Sequence, residues 1–242
     1  MRTSKINSEE NSFDLQKDLE AVRVKIDAST VRRRLLECGR KARRPVRKQL
    51  LTSSMKKKRL AWARKYQNWK KEDCRRVLFS DESHFEVQGL NISHVRRSDG
   101  EKLSPRHNKQ TVPLPQKKMF WGCFTFRGPK YLVPIDGMIN SDKYTPILER
   151  RCIPQLKKLA EELNIENTIS QQDLAPCHAS KKVKNFMVQN GIQCLDWPGN
   201  SPDLNPIENL WAIVKNRMRK MDCTNKEKMI RAVTQVWFHD SK

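Results

Sequence analysis

At 242 residues the chain has room for one large domain, or for a medium domain with a small companion. Lys and Arg number 49 against 27 Asp and Glu, a formal net charge of +22 where solubility alone needs about 2–8, so composition points to a polyanionic partner. Apolar runs such as Val77-Leu78-Phe79 fall far short of the ~20 residues of a membrane span, and MRTSKINSEE carries no apolar signal region, which argues against membrane-spanning and secreted classes. Seven scattered cysteines without a C-x-x-C pair argue against a disulfide framework or a zinc ribbon, and the Cys177-His178 neighbours have no second pair at zinc-finger spacing.

Most of the charge is local. Residues 31–71 hold 17 Lys and Arg and a single acid, Glu37. Each phosphate that such a run neutralises releases condensed counterions, so nucleic acid is the expected partner. Lys56-Lys57-Lys58-Arg59 would also serve nuclear import, and nuclear residence is expected. Ahead of the run, Leu15, Leu19 and Val22 recur at helical spacing. Asp27-Ala28-Ser29 then offers an N-cap for a second helix from Thr30 to about Cys38, closed by Gly39. Two short helices with a tight connection predict a helix-turn-helix. Val31 and Leu35 would face its core while Arg32, Arg33 and Arg34 face a major groove, or simply water. In GRKARRPVRK, Pro45 holds an extended chain that would lay Arg43, Arg44, Arg47 and Lys48 along a minor groove.

From residue 76 the pattern changes. RVLFSDESHFEV reads as a buried strand Val77-Leu78-Phe79, then Ser80-Asp81-Glu82 at its end, then a hairpin partner HFEV. KMFWGCFTF and KYLVPID predict two more strands. Ser141 caps a long helix with Tyr144, Ile147, Leu148, Cys152, Leu156 and Leu159 on one side, and NTISQQD is a strand ending in Asp173. There follow a helix from about Ala179 to Asn190, a strand IQCLDW, the loop PGNSPDLNP, and an amphipathic helix from Pro206 with Ile207, Leu210, Trp211, Val214 and Met218 on one stripe. A last helix runs from Glu227 to about Phe238. Antiparallel strands followed by strands alternating with helices predict an α/β fold with a mixed, helix-flanked sheet. Asp81, Asp173 and Glu208 would then stand at strand ends and in a helix first turn, as hard oxygen ligands suited to Mg²⁺ or Mn²⁺. Each also has a structural reading. Asp81 could cap a turn, and Asn205-Pro206-Ile207-Glu208 is a good capping-box start.

Taken together, FSDESHF, VRR near Arg97, WGCF from Trp121 to Phe124, QQDLAPCH and DWPGNSPDLNPIENLW resemble, in order and spacing, the catalytic core of Tc/mariner-type DNA transposases. The 34 residues between Asp173 and Glu208 resemble the interval of the Tc branch. The resemblance runs from about residue 13 onward. It implies a ribonuclease-H-like DDE core over 73–242, a partial helix-turn-helix over 1–40 and a basic linker over 41–72. It further implies Asp81, Asp173 and Glu208 as the catalytic and metal-binding acids, holding two Mg²⁺ ions, for which Mn²⁺ can substitute. The implied reaction is metal-dependent cleavage at transposon ends and strand transfer to a TA target, on double-stranded DNA bearing terminal inverted repeats, with a homodimer forming on the DNA. The alternative is a catalytically inactive, transposase-derived DNA-binding protein. Three departures from the resemblance are expected or seen: a front expected to lack one helix-turn-helix, with a short C-terminal tail also expected to be missing; Leu174 where the family usually has Asn; and Arg23 where a turn glycine is common. His178, five residues after Asp173, is expected to support the site or contact DNA.

Overall fold

The computed structural model describes residues 10–43, 50–87 and 116–240, and the chain divides into two compact units, Met1–Leu50 and Leu51–Lys242. Arg44, Arg47, Lys48 and Arg97, and the basic run around Pro45, lie outside the described residues.

In the first unit, α1 (Ser12–Ala21) starts at Asn11, whose side chain accepts from the Phe13 and Asp14 amides while Asp14 returns the bond to the Asn11 amide. The second helix, α2 (Ala28–Glu37), starts at the expected Asp27 cap and is closed by Gly39 at φ +72°. Leu15, Ala28 and Val31 are buried between them. Val22, expected on the core stripe, is exposed. The helix ends at Ala21, and Arg23 turns left-handed at φ +63°, which takes Val22 out of the helical period.

The second unit opens with α3 (Ser53–Tyr66), capped by Thr52, and the short α4 (Lys71–Arg75). Thus the stretch expected to be a linker contains a four-turn helix. Trp62 and Tyr66 of α3, with Trp69, pack against Val77, Ile169, Leu195 and Trp197 of the sheet layer. The strands are β1 (Val77–Glu86), β2 (Lys117–Thr125), β3 (Gly128–Ile135), β4 (Ile169–Gln171) and β5 (Gln193–Cys194), in spatial order β3-β2-β1-β4-β5. The three long strands pair antiparallel, while β1–β4 and β4–β5 are parallel. This is the expected mixed sheet.

One expectation is overturned at β1. No hairpin divides FSDES from HFEV; the strand runs unbroken through Asp81, because β2 pairs with it continuously from Phe79 to Glu86. On its other edge, the parallel ladder with β4 stops at Phe79. Asp81 therefore sits mid-strand, two residues beyond the point where one neighbour ends. A strand that loses a partner on one side leaves a cleft there, as parallel sheets do beyond the carboxyl ends of their strands.

Helices cover both faces. On one, α8 (Ile207–Met218) and α9 (Lys226–Gln235), which continues in a π-turn Val236–Asp240, enclose Phe85, Phe120, Trp211, Val214, Val233 and Trp237. On the other, α5 (Ser141–Ile147), a π-turn Leu148–Cys152, α6 (Ile153–Leu163) and α7 (Lys181–Gln189) enclose Leu78, Trp121, Tyr144, Leu148, Cys152 and Val183. The expected long helix is thus interrupted by a π-turn, where Pro154 lacks the N–H that would bond to Arg150. Its cap is Asn140, not Ser141.

Candidate active site

Because side chains alternate across a strand, adjacent residues of β1 serve opposite faces. Asp81 faces α8, where Trp211 Nε1 donates to its Oδ2 at 3.3 Å. Glu82 faces the α5–α7 layer, where its Oε1 lies 3.4 Å from His178 Nε2. Gly122 is paired across from Asp81. A Cβ there would lie 2.6 Å from the Trp211 ring and 2.7 Å from that of Trp237, so glycine is needed for space and the indole closes directly over the strand.

Two further segments are tied to this point. Ser80 donates twice to Gln171: its amide to Gln171 Oε1 at 3.4 Å and its hydroxyl to the Gln171 carbonyl at 2.8 Å, which fixes the end of β4 just before Asp173. Asn205 Nδ2 donates to the Ser80 carbonyl at 3.5 Å, and Asn205 Oδ1 accepts from the Ile207 amide at 3.3 Å. Asn205 thereby anchors the start of α8, and Glu208 with it, to β1. The Asn205 side chain does bond the first turn, and the Glu208 amide donates to the Asn205 carbonyl at 3.1 Å, but no Glu208 side-chain bond to the Asn205 amide completes a capping box. The acid is left at the rim of the site.

Asp173 Oδ1 accepts from His178 Nδ1 at 2.6 Å and from the Ala175 amide at 2.9 Å. Partial burial opposes its ionisation, but these two bonds outweigh it and hold the carboxyl below its ordinary pKa. Asp81 goes the other way. Burial, then repulsion from Glu82, Glu208 and Asp173, pushes its carboxyl up to about 7. Glu208 is also raised, by partial burial against the pull of Lys215. His178 is almost fully buried; burial would lower its pKa, but the bond to Asp173 and the Glu82 carboxylate raise it to about 10. Tyr144 lies against its ring, with centroids 4.2 Å apart.

The three expected acids are therefore brought within electrostatic reach of one another, on β1, after β4 and at the start of α8. Among the described residues, no three acidic, His or Cys side chains are gathered at ligand distance. Converging carboxylates repel unless a cation lies between them. The donor set suits a hard divalent cation, since all three side chains offer oxygen ligands only.

Residues 76–230 match the family described as DDE superfamily endonuclease, and residues 1–68 match a family described as transposase. The chain is 33% identical over 240 residues to the transposable element Tcb2 transposase of Caenorhabditis briggsae, covering 98% of this chain and 86% of that protein. It is 32% identical over 211 residues to the transposable element Tc1 transposase of Caenorhabditis elegans, covering 86% and 76% respectively. The chain belongs to the Tc/mariner transposases. Its fold resembles that of Mos1 transposase in a paired-end complex with the left transposon end, with a TM-score of 0.75 at 17% identity over 98% of this chain and 69% of that one. The Mos1 mariner paired-end complex with Mg gives the same TM-score at 18% identity, over 99% and 70%. The fold is thus the expected ribonuclease-H-like core.

In the transposase, sequence reasoning missed α3 and its clasp on the catalytic unit. Arg59 makes two bonds to Asp203, and Trp62 Nε1 donates to the Asp196 carbonyl at 2.5 Å, so α3 grips both ends of the loop that leads to Glu208. Met55, Arg59, Trp62 and Tyr66 recur at helical spacing and carried this signal, hidden by the surrounding lysines. It also missed Glu82, whose neighbour Asp81 drew the attention. Leu174 is exposed, on a groove of about 520 Å³ with Lys58, Trp62, Trp197 and Asn200. Arg32, Arg33, Arg34 and Arg43 are all exposed; Arg34 is held by Glu37 at 2.8 Å.

Proposed function

We propose that the transposase cleaves double-stranded DNA at the terminal inverted repeats of its element and joins the freed 3′ ends to a TA target, using Asp81, Asp173 and Glu208 as its catalytic acids. One observation carries the assignment: Asp81 on β1 lies within electrostatic reach of Asp173 after β4 and of Glu208 at the start of α8, in a cleft beside the end of β4. Structure without function gives no reason to keep such a repulsive cluster. Asp81, Asp173 and Glu208 are the residues to hold two divalent ions, Mg²⁺ or Mn²⁺. A bound cation there supplies charge neutralisation at the scissile phosphodiester.

The chain's own residues supply the rest. Trp211 holds Asp81 Oδ2 and sets that carboxyl's direction. His178 and Ala175 both bond Asp173 Oδ1, and neither engages Oδ2. No Ser or Cys nucleophile is needed, because phosphoryl transfer depends on positioning and charge stabilisation. Hydrolysis breaks the P–O3′ bond and leaves a 3′-hydroxyl; in strand transfer that hydroxyl attacks the target phosphate and displaces the target's own 3′ oxygen. The exposed Arg32, Arg33, Arg34 and Arg43, with Arg44, Arg47 and Lys48, are the proposed DNA contacts. Two protomers would pair the two element ends, in the nucleus.

The test is cleavage of a fragment bearing the element's own end, with Mg²⁺ or Mn²⁺, comparing the wild type with Asp173→Asn. Metal-dependent cuts at the end that vanish in the variant support this reading. Equal DNA binding by both proteins with cleavage by neither would leave a DNA-binding derivative. No observation favours that second reading at present.

A further inference from the structure

Glu82 is a fourth carboxylate at the site, on the opposite face of β1 from Asp81. Its Oε1 is buried, with His178 Nε2 at 3.4 Å as the polar atom facing it. The His178 ring is wedged: Tyr144 lies on its face, Glu82 stands at Nε2, and Nδ1 meets Asp173 at 2.6 Å. Tyr144 is itself fixed, its hydroxyl donating to Gln172 Oε1 at 2.7 Å, one residue before Asp173. A carboxylate oxygen accepts, so Nδ1 is the donor of the short bond to Asp173.

A buried carboxylate is costly unless it is paired, and Lys or Arg would satisfy Glu82 more simply than a histidine that already serves another acid. The arrangement has a different consequence. Glu82 acting on one ring nitrogen orients the other toward Asp173, as outer carboxylates orient metal-ligating groups through histidine in other sites. The same strand thus supplies Asp81 to one face and the support for Asp173 to the other.

We infer that Glu82 and His178 form a positioning relay that fixes the Asp173 carboxylate, so that Oδ1 is occupied and Oδ2 is presented to a divalent cation. This rests on the assignment of Asp173 as a metal-binding acid. The relay acts through Asp173, and neither member need touch DNA.

Two substitutions at His178 separate its ends. In His178→Asn the side-chain amide nitrogen can take the place of Nδ1 and still donate to Asp173; in His178→Gln it takes the place of Nε2 and meets Glu82 instead. Mn²⁺ alone is titrated into the full-length protein, without DNA, and unbound Mn²⁺ is followed by its paramagnetic resonance. Removal of a group that orients a metal ligand typically costs 10–100-fold in affinity. His178→Gln and Glu82→Gln should therefore weaken Mn²⁺ binding by about 10-fold or more, while His178→Asn stays within about 3-fold of wild type. In the His178→Asn background, Glu82→Gln should add nothing, because the relay is already bypassed.

Thermal unfolding without metal identifies any variant that does not fold, and the near-isosteric Glu82→Gln tests the relay even if both His178 variants fail. Equal Mn²⁺ affinity for the Gln and Asn variants, or an unaffected Glu82→Gln, would overturn the relay. Asp173→Asn is run alongside: if it binds Mn²⁺ as wild type does, the metal-binding assignment of Asp173 has failed, whatever the relay variants show.

Discussion

Arg59 on α3 holds both carboxylate oxygens of Asp203, at 2.8 and 2.6 Å, and so joins a helix of the basic segment to the loop that delivers Glu208. The guanidinium is mostly enclosed, with its side chain 19% exposed, while Asp203 remains largely in solvent. A bidentate pair of this geometry restricts its partner more than a single contact would.

Arg59→Ala should therefore cost about 1 kcal/mol of stability, from lost packing as well as lost charge. The cleavage rate should fall further than that modest loss explains, because the loop ahead of Glu208 loses one of its two clasps. Exchanging the pair, Arg59→Asp with Asp203→Arg, should recover part of the rate. Denaturant unfolding and single-turnover cleavage of an end fragment measure the two effects; a rate that tracks stability alone would show that the clasp has no influence on the acid.

Gly122 is constrained by Trp211, which also donates to Asp81. Gly122→Ala forces a methyl group into the two indoles, and overpacking of this kind costs about 1–3 kcal/mol when the core can shift at all. The expected outcome is a lower Tm, a changed tryptophan fluorescence spectrum and strongly reduced cleavage, with DNA binding retained. Unchanged fluorescence would mean that Trp211 does not sit where the sheet glycine places it.

The pH dependence of the metal-free protein should carry the signature of Asp81. Its folded-state pKa of about 7 lies above the ordinary 3.8, so the fold favours the protonated acid. Stability from this group is fully present below about pH 4 and is lost as the pH rises through about 7. In protein treated with a chelator, Asp81→Asn should thus raise stability relative to wild type at pH 8, by roughly 2 kcal/mol after allowance for solvent screening, and change little near pH 4. Mn²⁺ should stabilise the wild type more at pH 8 than at pH 5.5. A difference between the two proteins that does not vary with pH would contradict the raised pKa.

Arg23 occupies a position that suits glycine. The Val24 amide bonds to the Leu19 carbonyl and the Arg23 amide to Glu20, the pattern of a helix closed by a left-handed residue. The next helix closes in the same way, with Gly39 in that role and Arg40 bonding to Leu35. A left-handed conformation costs a side-chain-bearing residue roughly 1–2 kcal/mol, part of which glycine gives back as unfolded-state entropy. Arg23→Gly should stabilise the helical unit by about 0.5–1 kcal/mol, read as slower amide hydrogen exchange in α1 and α2. Faster exchange there would show that the arginine side chain contributes more than its backbone strain removes.

Residue patterns alone determined a good deal of this protein. The charge excess, the Asp27 cap, the mixed helix-covered sheet and the buried stripe Ile207, Leu210, Trp211, Val214 and Met218 all follow from local periodicity and capping chemistry, which act over a few residues. The order and spacing of the motifs around Asp81, Asp173 and Glu208 were enough to indicate the family.

Tertiary structure decided what local rules could not. Ser80-Asp81-Glu82-Ser83 has the composition of a turn, yet it is strand, because the β2 ladder continues past it. The lysine-rich α3 has the composition of a linker, yet Trp62 and Tyr66 find a sheet to cover. Glu82 becomes distinct from Asp81 only when the pleat sends them to opposite faces, one to His178 and the other to Trp211. Pairing partners and buried neighbours lie tens of residues away in the chain, and their free energy outweighs local propensities of about 1 kcal/mol or less per residue.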